Sequence, residues 1–301
     1  MSKKAIMTLE SSRFTSYENS IPCYICDSSN NYDTELCHEC SAPMALAHQA
    51  KAQGIKPDMV AVLGTAAAGK TVYLGMLLDM LTRQNNRLQL LARGAFSITL
   101  QQRTISALSN CEFPAKTPNE PDRWNWVHCQ AQIPRRKKPV ELVMPDMAGE
   151  AIIEEIDHPQ TYPVIHSFLK KCAGVILLVD TNRIEQGSQE QNYFMMKVAT
   201  YLSEMDKNKK QGKSQRPLAV VFSKADQCEV CFANPDNYAR ENTPNLWQQV
   251  QQRFANYGYF AAGVAGACAS RLEYGTGQVS VPLRIEPRGI VEPFEWLLRK
   301  M

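Results

Sequence analysis

Apolar residues fall into short unbroken runs separated by longer stretches that repeat with a helical period. Met59-Val60-Ala61-Val62-Leu63 is one such run. Val72, Leu74, Met76, Leu77, Leu78, Met80 and Leu81 follow it and recur as a buried helix requires. Val140-Glu141-Leu142-Val143-Met144-Pro145 reads as a second strand, Gly174 to Asp180 as a third and Leu218 to Phe222 as a fourth. The segment from Trp124 to Cys129 alternates, and is predicted to pair with residues 140–145 across the turn at Arg135 to Lys138. Tyr257 to Val264 is predicted as the last core strand. Leu246, Val250 and Phe254, and later Val291, Phe294, Leu297 and Leu298, mark the core faces of late helices. Strands followed by helices predict a three-layer α/β domain with a mostly parallel sheet, whose ligand site lies at the C-terminal ends of the strands.

Length sets the scale: 301 residues with 44% hydrophobic composition support one large domain and a small appendage. A formal charge of +3 is too near balance to imply nucleic-acid binding by charge alone. The basic runs Arg135 to Lys138 and Lys207 to Lys213 are read as solvated turns. The first 20 residues are polar and lack the apolar centre of a secretory signal, and no apolar run approaches bilayer-spanning length. A soluble, cytoplasmic protein with no membrane partner is expected, its residues 1–19 forming a flexible N-terminus.

Ten cysteines in a reducing compartment direct attention to metal ligation. Cys23 and Cys26 form one C-x-x-C and Cys37 and Cys40 a second, with turn-forming residues between them. Four thiolates suit tetrahedral Zn²⁺, and a closed Cys₄ site leaves no open position for catalysis, so a structural zinc ribbon over 20–45 is predicted. His38 is expected to point outward. Cys228 and Cys231 form a third C-x-x-C, either a pair of quiet thiols or, with Cys111 or Cys129, a second metal site.

The first strand runs directly into Gly64-Thr65-Ala66-Ala67-Ala68-Gly69-Lys70-Thr71, a G-x-x-x-x-G-K-T between a strand and a helix. Backbone amides from Gly64, Ala67, Ala68, Gly69, Lys70, Thr71 and Val72 would curl around phosphates, Lys70 would reach the β- and γ-phosphates, and the Thr71 hydroxyl would bind Mg²⁺. The second strand ends at Asp146-Met147-Ala148-Gly149, a D-x-x-G, and the fourth at Ser223-Lys224-Ala225-Asp226, similar to the N/T-K-x-D guanine-reading motif. A carboxylate at Asp226 can accept from guanine N1–H and N2–H₂, which adenine does not offer, while the stem of Lys224 lies along the base. Ser223 keeps a hydroxyl but lacks the amide of Asn.

Motif order makes residues 57–301 resemble a P-loop GTPase domain of the Ras-like superfamily. The resemblance implies that Asp146 supports Mg²⁺, that the Gly149 amide meets the γ-phosphate and that a switch-I threonine completes the metal site. Thr117 is the choice for that threonine, with Thr104 as the fallback. Ala265 and Gly266 would occupy the last guanine loop. Glu150 stands where Ras-like enzymes carry the water-positioning Gln, and a carboxylate beside the γ-phosphate implies slow intrinsic hydrolysis. Lys70, Thr117, Gly149 and Glu150 form the expected catalytic set. The stretch between Arg83 and Arg123 suggests an insertion, around 84–123. The ribbon, Phe113-Pro114-Ala115-Lys116-Thr117 and the ending Arg288 to Leu297 look like the bacterial double-GTPase family of conflict systems. That likeness implies a GTP/GDP-controlled switch signalling to a protein effector or a second GTPase. Competing readings are a nucleic-acid-binding ribbon with an accessory NTPase, which the acidic Asp27, Asp33, Glu35 and Glu39 oppose, and an ATPase using the same loop.

Overall fold

Two short strands, β1 (Ser20–Pro22) and β2 (Ser29–Asn31), pair antiparallel and flank the first C-x-x-C turn. Too few apolar side chains are present here for an independent core, and Ile21, Ile25, Met44 and Leu46 are buried against the larger domain instead. Helix α1 (Met44–Gln53) links the two parts and closes on Gly54 in the left-handed conformation. The computed structural model describes residues 20–83, 88–134, 136, 138–206, 208–273 and 277–301. The N-terminus expected to be flexible, 1–19, lies outside them, as do Arg135, Lys137 and Lys207 of the two basic runs.

The larger part follows as β3 (Asp58–Leu63), α2 (Lys70–Arg83), β4 (Gln89–Arg93), α3 (Gly94–Ser109), β5 (Asn125–Gln132), β6 (Val140–Asp146), α4 (Gly149–Asp157), α5 (Pro163–Lys171) and β7 (Gly174–Asp180). Next come α6 (Thr181–Glu185), α7 (Gln189–Met205), the small hairpin β8 (Lys209–Lys210) and β9 (Lys213–Ser214), and β10 (Leu218–Ser223). Helices α8 (Glu229–Ala233), α9 (Pro235–Asn242) and α10 (Pro244–Arg253), strand β11 (Tyr257–Ala261), hairpin β12 (Gly263–Glu273) with β13 (Gly277–Arg288), and α11 (Val291–Lys300) complete it. Seven strands form the main sheet in the order β11-β10-β7-β3-β6-β5-β4. Pairing is parallel from β11 to β6 and antiparallel at β6–β5 and β5–β4.

The central strands read as unbroken apolar runs because both faces are covered. Met59, Ala61 and Leu63 of β3, with Val175, Leu177 and Val179 of β7, face a layer shared with α4, α5, α7, α10 and the cysteine module. Val60 and Val62, with Ile176 and Leu178, face the layer of α2, α3 and α11. The result is the three-layer α/β architecture the sequence predicts.

Differences are local. The stretch around 84–123 supplies an edge strand, β4, and a helix, α3, that packs on α2 and β5. The last core strand stops at Ala261 rather than Val264, and the chain then leaves in a long two-stranded hairpin. No helix among the described residues is long and apolar enough to cross a membrane.

Candidate functional site

Strands β3, β6, β7 and β10 run parallel, so the segments leaving their C-terminal ends meet at one edge of the sheet. The loop after β3 curls through positive φ at Ala67 (61°) and Gly69 (91°) before α2 begins at Lys70. Lys70 is buried, and its Nζ donates to the carbonyls of Gly64 and Thr65 at 3.1 and 3.0 Å, folding back over its own loop. Burial lowers its pKa to about 8, while the charges of Asp146 and Glu150 pull the other way. Val72, in the first turn of α2, is partly buried against the core layer.

Thr71 Oγ1 donates to both carboxylate oxygens of Asp146, at 3.1 and 3.0 Å, and lies 3.1 Å from Thr117 Oγ1. Thr117 in turn donates to Asp146 Oδ2 at 3.1 Å. Three elements far apart in sequence thus place three oxygen-bearing side chains in one triangle. Burial raises the pKa of Asp146, opposed by the two threonine hydrogen bonds and the Lys70 charge. The indole Nε1 of buried Trp124 donates to Pro118 O at 2.8 Å, fixing the segment just after Thr117. Thr104, the fallback, is fully buried where α3 meets Gly75 of α2 and does not reach this triangle. Gly149 packs so closely on the loop after β3 that a Cβ there would lie 2.4 Å from the Ala66 nitrogen. Glu150 pairs with Lys116.

At the end of β10, Ser223 Oγ donates to Ala68 O at 2.8 Å, tying the S-K-x-D segment to the phosphate-type loop. The hydroxyl therefore makes a tie that needs no amide. Lys224 adopts the left-handed conformation, and its Nζ meets Asp180 Oδ2 at 2.6 Å. Burial pushes the Asp226 carboxyl up to about 6, although its own amide and those of Val264 and Ala265 hold the charged form. A Cβ on Gly263 would lie 2.2 Å from Asp226 Oδ1. The segment facing Asp226 is thus Gly263 to Ala265, at the base of the hairpin. Gly266 lies further out on the hairpin, where a Cβ would meet Glu286 and Arg284. Nothing in the Ala-Gly-rich sequence fixed this register; Gly263 was the available signal, as a position where a side chain would collide.

At the other end of the molecule, the four sulfurs of Cys23, Cys26, Cys37 and Cys40 lie within 4.8 Å of one another. Cys23–Cys40 and Cys26–Cys37 are separated by 3.7 and 3.5 Å. Corners of a ZnS₄ tetrahedron with Zn–S bonds of about 2.3 Å are about 3.8 Å apart, so the cluster fits a zinc ribbon. The Ile25 amide and Asn30 Nδ2 point at sulfurs of Cys23 and Cys37. His38 is exposed, with Nδ1 2.8 Å from Asn30 Oδ1. Among the described residues this is the only such group of candidate ligands, and neither Cys111 nor Cys129 joins Cys228 and Cys231.

A glycine-containing loop from strand to helix, a buried lysine within it and a carboxylate at the end of a neighbouring parallel strand define a P-loop nucleotide-binding domain. The sequence profile of the Double-GTPase 2 family matches residues 58–268, more than half of the chain, and the protein belongs to that family. It is accordingly a GTP-hydrolysing enzyme. No curated protein matches the sequence. Among solved structures it is similar to the Arl6 small GTPase of Trypanosoma brucei with the bound nucleotide analogue GppNp, at 15% identity and TM-score 0.42, covering 81% of this chain and 96% of that one. It is also similar to the GTPase-like domain of Ski7 from S. cerevisiae bound to GTP, at 18% identity and TM-score 0.42, covering 81% of this chain and 50% of that one. The family assignment rests on the matched profile and not on these distant likenesses.

Proposed function

We propose that the protein binds guanine nucleotide with Mg²⁺ in the crevice between the loop after β3 and the end of β10, and signals its GTP or GDP state to a protein partner. The triangle of Thr71, Thr117 and Asp146 carries this reading. Adjacent ligands of an octahedral Mg²⁺, each about 2.1 Å from the ion, stand about 3.0 Å apart. The two threonine hydroxyls are 3.1 Å apart and all donors are oxygen, so the residues fit that ion. Mg²⁺ there would neutralise phosphate charge, with Thr71 and Thr117 as ligands and Asp146 as their acceptor. Because Thr117 belongs to the loop before β5, its place in the triangle supports a segment whose order depends on what the crevice holds.

Zn²⁺ in the cysteine cluster would serve structure, since four thiolates leave no open position. The acidic Glu150 beside the phosphate end supports slow intrinsic hydrolysis. A protein effector or second GTPase as partner, and a setting in bacterial conflict systems, rest on the combination of ribbon, switch segment and C-terminal motif alone.

Nucleotide extracted from freshly purified protein is expected to be GDP or GTP. Labelled GTP bound to the emptied protein should be displaced by unlabelled GDP but not by comparable ATP, and EDTA should weaken it. Recovery of ADP, or equal displacement by ATP, would overturn the guanine reading.

A further inference from the structure

Glu150 follows the D-x-x-G directly, where a carboxylate opposes the terminal phosphate of a bound triphosphate. Its Oε1 is ion-paired with Lys116 Nζ. Lys116 precedes Thr117, whose hydroxyl lies 3.1 Å from both Thr71 and Asp146. Both members of the pair are felt at Lys70, where the Glu150 charge favours the ammonium form and the Lys116 charge disfavours it. The pair therefore lies at the phosphate end of the crevice and bridges the loop before β5 to the start of α4. Burial works against the Glu150 charge, but the hydrogen bond from Lys116, its own amide and the charges of Lys116 and Lys70 hold the carboxyl below its ordinary value. Glu150 is thus a carboxylate at neutral pH, ion-paired with Lys116.

We infer that Lys116 is a positioning residue that acts through Glu150: by neutralising this carboxylate it allows a guanosine triphosphate, as opposed to a diphosphate, to be held with the two segments closed over it. The inference rests on the guanine-nucleotide reading above. A diphosphate places no charge beside Glu150, whereas a γ-phosphate does, so like-charge repulsion falls selectively on the triphosphate once Lys116 is removed. The same counter-ion leaves Glu150 near the γ-phosphate as an acceptor for the attacking water, a place an uncompensated carboxylate would be driven from. The Lys116 side chain is 69% exposed, so its removal leaves folding intact.

Affinities of the full chain for GDP and for a non-hydrolysable GTP analogue, both with Mg²⁺, test this together with single-turnover GTP hydrolysis. Lys116→Ala is expected to leave GDP affinity within about twofold while weakening the GTP analogue about tenfold and slowing hydrolysis. Lys116→Arg should stay close to wild type. The double variant Lys116→Ala/Glu150→Gln should regain the wild-type ratio of analogue to GDP affinity, because the charge that needed a partner is gone. Equal weakening of both nucleotides by Lys116→Ala, no change in either, or no recovery in the double variant would overturn the inference. A wild-type chain that binds neither guanine nucleotide would instead overturn the reading on which it rests.

Discussion

Asp226 is held by backbone amides and pressed against Gly263, so its carboxyl has one position to occupy. In the proposed role only the ionised form reads guanine, since a protonated carboxyl presents a donor where N1–H and N2–H₂ need acceptors. Burial raises the pKa to about 6, so lowering pH through that value removes the binding-competent form. GDP affinity is expected to be level above about pH 7 and to fall by up to about tenfold per unit below the Asp226 pKa. Calorimetric titration across this range measures it. Because the nucleotide's own phosphates also titrate, the decisive comparison is Asp226→Asn, whose residual affinity should lose the part of the slope due to this side chain. Identical slopes would show that Asp226 does not face the base. Its place four residues beyond the end of an apolar run made it legible in sequence. The Gly263 to Ala265 contact was not, because it depends on where β11 ends.

Among the elements, α4 is held by a polar anchor more than by its capping. Glu155 is fully buried and its carboxylate accepts from the Gln160 and Tyr162 amides at 3.1 and 2.8 Å and from Tyr201 Oη at 2.7 Å. That set joins the segment after the D-x-x-G to α5 and α7. Glu155→Ala would deprive two part-buried amides and a phenol of their acceptor, and is expected to cost about 2 kcal/mol in urea unfolding. A change under about 0.5 kcal/mol would mean that water replaces the carboxylate without loss. The helical period of α2 and the apolar runs of β3, β7 and β10 were readable because burial on a regular face imposes a regular pattern. The strand and helix at 89–109 escaped that reading. Leu91, Phe96 and Ile98 are exposed there, so the pattern is diluted at the edge of the sheet. Hairpin β12–β13 also escaped, since two strands off the main sheet need no continuous apolar face, and Leu272 and Leu283 lie exposed on it.

At the scale of the whole molecule, the cysteine module shares one apolar layer with the main sheet, and Lys171 Nζ meets Asp27 Oδ2 at 2.6 Å across the junction. Loss of the proposed zinc should therefore be felt by the nucleotide-binding domain as well. Elemental analysis is expected to give one zinc per chain, and a strong chelator to lower the thermal midpoint by several degrees, about what a loss of 1–2 kcal/mol produces in a chain of this size. A metal-free chain with an unchanged midpoint would refute the structural role. The sequence alone determined the chemistry that depends on local spacing: four thiols on two turns, a lysine and a threonine after a curled loop, and carboxylates just beyond buried strands. Tertiary structure decided which of these meet. Thr117 joins Thr71 and Asp146, Thr104 does not, and Lys116 finds Glu150, because such contacts are set by how strands order in a sheet and where loops cross its edge. A one-dimensional pattern records burial on a face and the demands of a turn, but not the distance between two loops separated by a strand pair.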